Sequence, residues 1–381
     1  VYAQPESQIL LLAYTNRAVD EICSSLSTIT PAIDYIRIGS ELSCDERYRE
    51  HLVENVLEPL NNRKEVRQRL ASCRVYVGTV ASLSSKTELF KLKRFDVAIV
   101  DEATQILEPQ LLWILTAKSS DGQNSVGKFV LIGDHKQLPA VVLQSQEESE
   151  VYDEGLRNIG LLNLKDSLFE RLYRFHLAED DSPALDMLCR QGRMHPGVAS
   201  FPNQVFYGGK LKPVGLSHQL EEISSPVLFI PSRRDTGSLS GKTNDYEAQM
   251  VADWAERIWK ESPETFDAHR TLGIITPYRS QIALIRKRLQ EKGIPALLEV
   301  SVDTVERYQG SERDVIIYSF CVNHRYQLKF LPNLTEENGV LIDRKLNVAL
   351  TRARKRMVVI GVPELLKENP IYQHFISSYS V

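Results

Sequence analysis

Asp101 and Glu102 stand side by side in FDVAIVDEATQ, directly after the apolar run VAIV. Such a run reads as a buried strand, and its carboxyl end is where open α/β sheets place ligands. Two adjacent carboxylates there suit nucleotide hydrolysis. Asp101 would hold Mg²⁺ through water, and Glu102 would polarise the attacking water. The plainer reading is an ordinary strand end with a capping Asp; the strand before the pair and Gln105 after it favour the functional one. KFVLIGDHKQLPAVV repeats the pattern one strand later, with Gln137 in reach of a phosphate where the alternative is a turn built from Gly and Pro. In ILLLAYTNRAVDEIC, Thr15 and Asn16 open a helix, a position that suits either a phosphate contact or simple N-capping.

The second half carries its own set. LCRQGRMHP puts Arg193 ahead of the helix-breaking Pro196. ITPYRSQ places Thr276, Pro277 and Tyr278 at a strand end, with an aromatic able to stack on a base. VDTVERYQGSERDVIIYS sets Thr304 before Gln309, Gly310 and Glu312. RKLNVALTRARKR has six basic residues and no acid between Arg344 and Arg356, and reads as a helix over 344–354. A solvated basic face is the usual reading of such a run. Leu346, Val348 and Leu350 are interleaved, however, so the helix should be partly buried, with Arg352 directed at an interdomain cleft in the manner of an arginine finger. GSLSGKT (237–243) imitates the end of a phosphate-binding loop, but the glycine that loop requires falls at Thr236. Its helix starts only beyond Thr243, so the stretch reads as a flexible surface loop.

The elements that must position these residues are short apolar runs alternating with helical patterns, which argues α/β with largely parallel sheets. Strands are expected over 9–14, 74–78, 95–100 and 128–133, then 226–230, 271–276, 314–320 and 356–361. Helices are expected over 166–175, 245–260 and 278–291, with Ser167 and Glu170 as a capping box for the first. The charged stretch 41–73 lacks a strand pattern and reads as a small inserted helical subdomain. The 381 residues suffice for two domains, 1–178 and 179–381, joined near 176–184. A net charge of −4 advertises no global basic field, although a groove on an acidic protein can still be basic. The five cysteines are odd in number and lack CxxC spacing, so reduced thiols in a cytoplasmic or nuclear compartment are expected. No apolar run is long enough to span a bilayer, and no signal peptide is expected, because VYAQPESQ runs straight into a strand pattern.

Taken in order, AYTNRAVD, GTVASL, VDEATQ, GDHKQLPAV, SLFERL, QGRMHP, FPNQVFYGGKLK, TPYRSQ, VERYQGSERDVII and LNVALTRA resemble superfamily 1 helicases. The likeness is to the 1B branch that holds the nonsense-mediated-decay RNA helicase and the replication helicase–nuclease, and it covers nearly the whole chain. It implies two RecA-like domains, ATP and Mg²⁺ at their interface, and translocation along single-stranded DNA or RNA, typically 5′ to 3′. Residue by residue, Asp101 and Glu102 match the Mg²⁺ ligand and catalytic base, Gln137 the γ-phosphate sensor, and Arg193 and Arg352 the arginine fingers. Gln191, Gln309, Gly310 and Glu312 match nucleotide contacts. Thr15, Asn16, Thr79, Thr276, Pro277, Tyr278, Thr304 and Asn347 match the nucleic-acid side.

The family's phosphate-binding loop precedes AYTN, so the first domain is expected to be truncated at Val1, with further domains upstream and this chain alone inactive as an ATPase. Gly192 stands where the family usually has an aromatic against the base, and no nuclease cluster or zinc-cysteine module is visible. A monomeric motor is the expected form. The alternative is a non-catalytic nucleic-acid-binding or scaffolding module derived from a helicase.

Overall fold

The computed structural model describes residues 3–29, 32–177, 182–238, 240–337 and 339–379. Two units emerge: Val1–His135 with Pro139–Asp186, and Lys136–Leu138 with Met187–Val381. The expected boundary after residue 178 lies outside the described residues.

In the first unit, β1 (Ile9–Ala13), β2 (Tyr35–Ile38), β3 (Val75–Thr79), β4 (Phe95–Val100) and β5 (Val126–Leu131) lie in the order β2-β3-β1-β4-β5. Every neighbouring pair is parallel, with Ile9 opposite Val75 on one side and Val97 on the other. The helix Asn16–Ser27 lays Val19, Cys23 and Leu26 on one face of this sheet. The stretch 41–73 folds as 3-10 turns and the helices Val53–Leu57 and Arg63–Ser72, forming the connection from β2 to β3. Cys44, Tyr48 and Leu52 from this connection are buried with Val19 and Tyr35. The helix Leu168–Leu177 begins at a reciprocal cap in which Ser167 Oγ accepts from the Glu170 N–H at 3.1 Å and the Glu170 carboxylate accepts from the Ser167 N–H at 3.3 Å.

β5 departs from the expectation of a strand covered on both faces. It starts two residues earlier than the apolar run, lies at the sheet edge, and leaves Val130 exposed. β4, which has neighbours on both sides, is largely covered, with Asp96 exposed.

In the second unit, β6 (Arg190–Gln191) and β7 (Lys212–Pro213) form a short parallel pair. The main sheet takes β8 (Val227–Pro231), β9 (Leu272–Ile275), β10 (Ser301–Asp303), β11 (Arg313–Ser319) and, beyond the hairpin of β12 (Leu334–Glu337) and β13 (Val340–Asp343), β14 (Ala353–Gly361). Its order is β10-β9-β11-β14-β8, all parallel. Because strand side chains alternate between faces, Val315, Ile317, Val358 and Ile360 meet the helices Asp245–Glu261 and Arg279–Glu291. Ile316, Tyr318, Met357 and Val359 meet the helices Pro196–Val205, Arg344–Leu350 and Pro370–Tyr379 on the other face. Both faces are covered, which is why these strands read as continuous apolar runs.

The expected helix over 344–354 stops at Leu350, and residues 353–361 are strand. Thr351 Oγ1 donates back to the Asn347 and Val348 carbonyls at the last turn, and the chain then pairs with β11. The basic run is thereby divided between a helix and a strand. Among the described residues, no helix is long and apolar enough to cross a membrane.

Candidate nucleotide and nucleic-acid site

In the first unit the candidates gather at one sheet edge. β3, β1 and β4 are adjacent and parallel, so Thr79, Thr15 and Asp101 stand at their common carboxyl edge. Thr15 Oγ1 accepts from the Ala18 N–H at 3.2 Å and Thr79 Oγ1 from the Ser82 N–H at 2.9 Å, so both hydroxyls cap helices. Thr15 is exposed, Asn16 half-buried and Thr79 buried. Asp101 is partly buried and accepts from the Glu102 N–H at 3.0 Å. Burial pushes its carboxyl up, and that single bond opposes the rise. Glu102 has a φ of 52°, a left-handed conformation that costs a non-glycine residue about 1 kcal/mol and is found disproportionately at functional sites. Its carboxylate accepts from Gln105 Nε2 at 3.0 Å. A hard divalent cation favours carboxylate oxygen and keeps most of its ligands as water. The Asp101 carboxylate fits such an ion, which would offset the cost of burying it.

In the second unit the candidates separate into two groups. Thr276 follows β9 and Thr304 follows β10, adjacent strands paired Ile275 to Asp303, so both lie at the carboxyl edge. Thr276 is fully buried, and its Oγ1 has no partner in the structure. Pro277 and Tyr278 are half-buried. The Tyr278 hydroxyl accepts from Gln327 Nε2 at 3.1 Å.

Glu312 and Arg352 immediately precede β11 and β14 and therefore lie at the amino edge of the same sheet. Arg193 Nε donates to Glu312 at 2.7 Å, and its Nη1 lies 3.5 Å from the Thr351 carbonyl. Arg352, 2% exposed, donates to the Val348 carbonyl at 3.1 Å and to Gln137 Oε1 at 3.1 Å. Gln137 belongs to the Lys136–Leu138 segment that packs with the second unit, where Leu138 is buried. Burial pushes the Glu312 carboxyl up, but the Arg193 bond and the charges of Arg193, Arg354 and Arg352 outweigh it and hold the group below its ordinary range. Gln137, Arg193, Glu312 and Arg352 thus form one connected cluster.

The remaining candidates are placed as follows. Gln191 closes its own loop, donating to the Met194 carbonyl at 2.8 Å and accepting from the Met194 N–H at 2.7 Å. Gln309 has a buried Nε2 with no partner in the structure, beside Gly310 in left-handed conformation. Asn347 is fully buried, and its Nδ2 donates to the Lys136 carbonyl and the Tyr207 hydroxyl, each at 2.8 Å. Gly192 faces Leu216 and Val214, 3.4 and 3.5 Å from where a Cβ would stand.

The GSLSGKT loop is tied down at its far end. The Gly241 carbonyl accepts from Asn323 at 3.2 Å and from Gln327 at 3.0 Å, and the Thr243 carbonyl accepts from Asn323 at 2.7 Å. Gly241 is buried there, which corrects the expectation of a flexible loop, while Lys242 remains exposed. The physical reason is a pair of buried amides, Asn323 and Gln327, that lie far downstream in sequence and carried no motif.

Two family models, each described as an AAA domain, match residues 164–364 and 59–145. The DNA replication ATP-dependent helicase/nuclease JHS1 of Arabidopsis thaliana is 30% identical over 96% of this chain and 26% of its own length. The DNA polymerase alpha-associated DNA helicase A of Saccharomyces cerevisiae is 25% identical over 95% of this chain and 59% of its own length. The probable helicase MAGATAMA 3 of Arabidopsis thaliana is 28% identical over 97% of this chain and 45% of its own length. The chain therefore spans from about a quarter to three fifths of the relatives it is similar to.

Proposed function

The chain belongs to the AAA-domain family, within the superfamily 1 helicases, and from that premise we propose that it is part of an ATP-driven motor that moves along single-stranded DNA or RNA. The observation that carries this reading is the cluster of Gln137, Arg193, Glu312 and Arg352, four side chains drawn from four distant segments. Two arginines brought to one place, beside a glutamine and a carboxylate, suit the charge that develops on a transferring phosphoryl group.

In this reading Glu102 orients and deprotonates the attacking water, and Gln105 holds its carboxylate in place. Asp101 holds Mg²⁺, which when bound offsets the charge of the phosphates. Arg193 and Arg352 stabilise the charge on the γ-phosphoryl group as it passes from ADP to water, and Gln137 reports whether the terminal phosphate is present. Gln191, Gln309, Gly310 and Glu312 shape the nucleotide pocket. Thr15, Asn16, Pro277, Tyr278 and Thr304 follow the strand, with phosphate contacts for grip and the Tyr278 ring for stacking, while Thr79 and Thr276, being buried, hold their loops from within. Asn347, being buried and bonded to the Lys136 carbonyl, holds the segment that carries Gln137. Movement from 5′ to 3′ and action as a monomer are part of the proposal.

The test is ATP hydrolysis by the natural full-length protein with single-stranded DNA and RNA in parallel, at stated salt. Hydrolysis stimulated by the strand and abolished in Glu102→Gln supports the motor. Strand binding with no hydrolysis by the unsubstituted protein overturns it in favour of a scaffold.

A further inference from the structure

Arg193 is held at both ends. Its Nε donates to Glu312 at 2.7 Å, and its main-chain carbonyl lies 2.8 Å from His218 Nε2. A carbonyl oxygen only accepts, so Nε2 carries the imidazole proton. His218 Nδ1 is then the lone-pair nitrogen, and it faces Arg354 Nη2 at 3.3 Å, a donor. Arg354 in turn reaches the other oxygen of Glu312, with Nε 3.6 Å away, and Asp314 at 3.4 Å. The contacts close a ring that runs from the Arg193 main chain through His218, Arg354 and Glu312 to the Arg193 side chain. The ring draws on four segments: the turn before Pro196, the short helix Ser217–Leu220, the entry to β11 and the start of β14.

The surroundings of the ring are equally fixed. Gln219, next to His218, donates to the Gln191 and Met194 carbonyls, each at 3.0 Å, and so ties both sides of the Arg193 turn. The His195 N–H donates to the Arg354 carbonyl at 2.6 Å. His218 is 5% exposed. The charges of Arg193 and Arg354 also help keep Glu312 ionised against its burial.

We infer that His218 and Arg354 are positioning residues for Arg193: through Glu312 and the Arg193 carbonyl they fix where its guanidinium points. This rests on the reading of Arg193 as a charge-stabilising group. Arg354 contacts both halves of the clamp, Glu312 and His218. Without it, Glu312 loses one of its two direct ion pairs and His218 loses the donor on Nδ1. A long side chain swings freely unless its bonding partners are themselves fixed, and misplacement by an ångström can cost about a hundredfold in rate.

The experiment uses the natural full-length protein and steady-state ATP hydrolysis with saturating single-stranded DNA. His218→Phe and Arg354→Gln are expected to lower kcat about tenfold or more while KM for ATP stays within about twofold, the signature of an interaction made in the transition state. His218→Gln carries an amide donor and an acceptor, and should recover most of the loss. Arg193→Ala is run alongside. If it lowers kcat while folded His218→Phe and Arg354→Gln turn over normally, the positioning role is overturned and the finger stands. If Arg193→Ala itself turns over normally, the finger reading fails and the inference with it. Arg354→Gln lies at the start of a strand and empties no buried pocket, so it decides the matter should His218→Phe not fold.

Discussion

Arg352 donates a hydrogen bond to the side-chain carbonyl of Gln137 at 3.1 Å, although 215 positions separate them in the chain. The bond joins the residue proposed to sense the terminal phosphate to one proposed to stabilise its charge, so the two should act as a unit. Gln137→Ala and Arg352→Lys are each expected to lower kcat about a hundredfold. The double variant should lose less than the product, with a coupling of about 0.5–3 kcal/mol. Losses that multiply fully would mean that the contact has no part in turnover.

Tyr278 has its hydroxyl spent on Gln327, which leaves the ring as the group available for stacking. Tyr278→Ala should weaken single-strand binding by about 1–3 kcal/mol, and Tyr278→Phe by far less. Fluorescence anisotropy with labelled oligonucleotides measures both. Equal losses would assign the effect to the hydroxyl bond and its support of the loop, and would remove Tyr278 from the stacking surface.

Glu247 is fully buried and accepts through Oε2 from Ser319 Oγ at 2.6 Å and from the Cys321 N–H at 2.9 Å. Burial pushes its carboxyl up to about 7 from an ordinary 4.5, against the pull of those two bonds. Between these values the folded protein holds more protons than the unfolded chain. Its stabilising contribution is therefore complete below pH 4.5 and is lost as pH rises through about 7. Glu247→Gln keeps an acceptor and sheds the charge. Urea melts should show little change at low pH, where the carboxyl is protonated, and a gain on the order of 3 kcal/mol well above its titration. A variant weakened equally at both would contradict the assignment.

β8, β9, β11 and β14 of the second unit were legible because both faces of their sheet are covered, so Val315–Tyr318 and Met357–Ile360 are apolar without interruption. β2 was not legible. It is four residues long and includes Arg37, a cation that is 1% exposed and paired with Asp20 in the first helix. Pattern reading takes a cation as surface, and only the distant carboxylate permits its burial. The break at Thr351 was hidden as well, since alternating apolar residues and arginines satisfy helix and strand equally over so short a run. The placement of Asp101 and Glu102 at the end of β4 was legible because strand and carboxylates are contiguous. His218 and Arg354 gave no such signal, because their significance lies in partners about 25 and 136 residues away.

The strand order of the first sheet also sets a schedule for the nascent chain. β1 is flanked by β3 and β4, so neither of its neighbours exists when it leaves the ribosome. At roughly 5–20 residues per second, β1 must wait on the order of 5–15 s before β4 has been made. During that interval ILLLA presents two unpaired hydrogen-bonding edges, the condition under which strands recruit the wrong partner. The cell's chaperones, rather than any feature of the finished fold, would have to guard that interval.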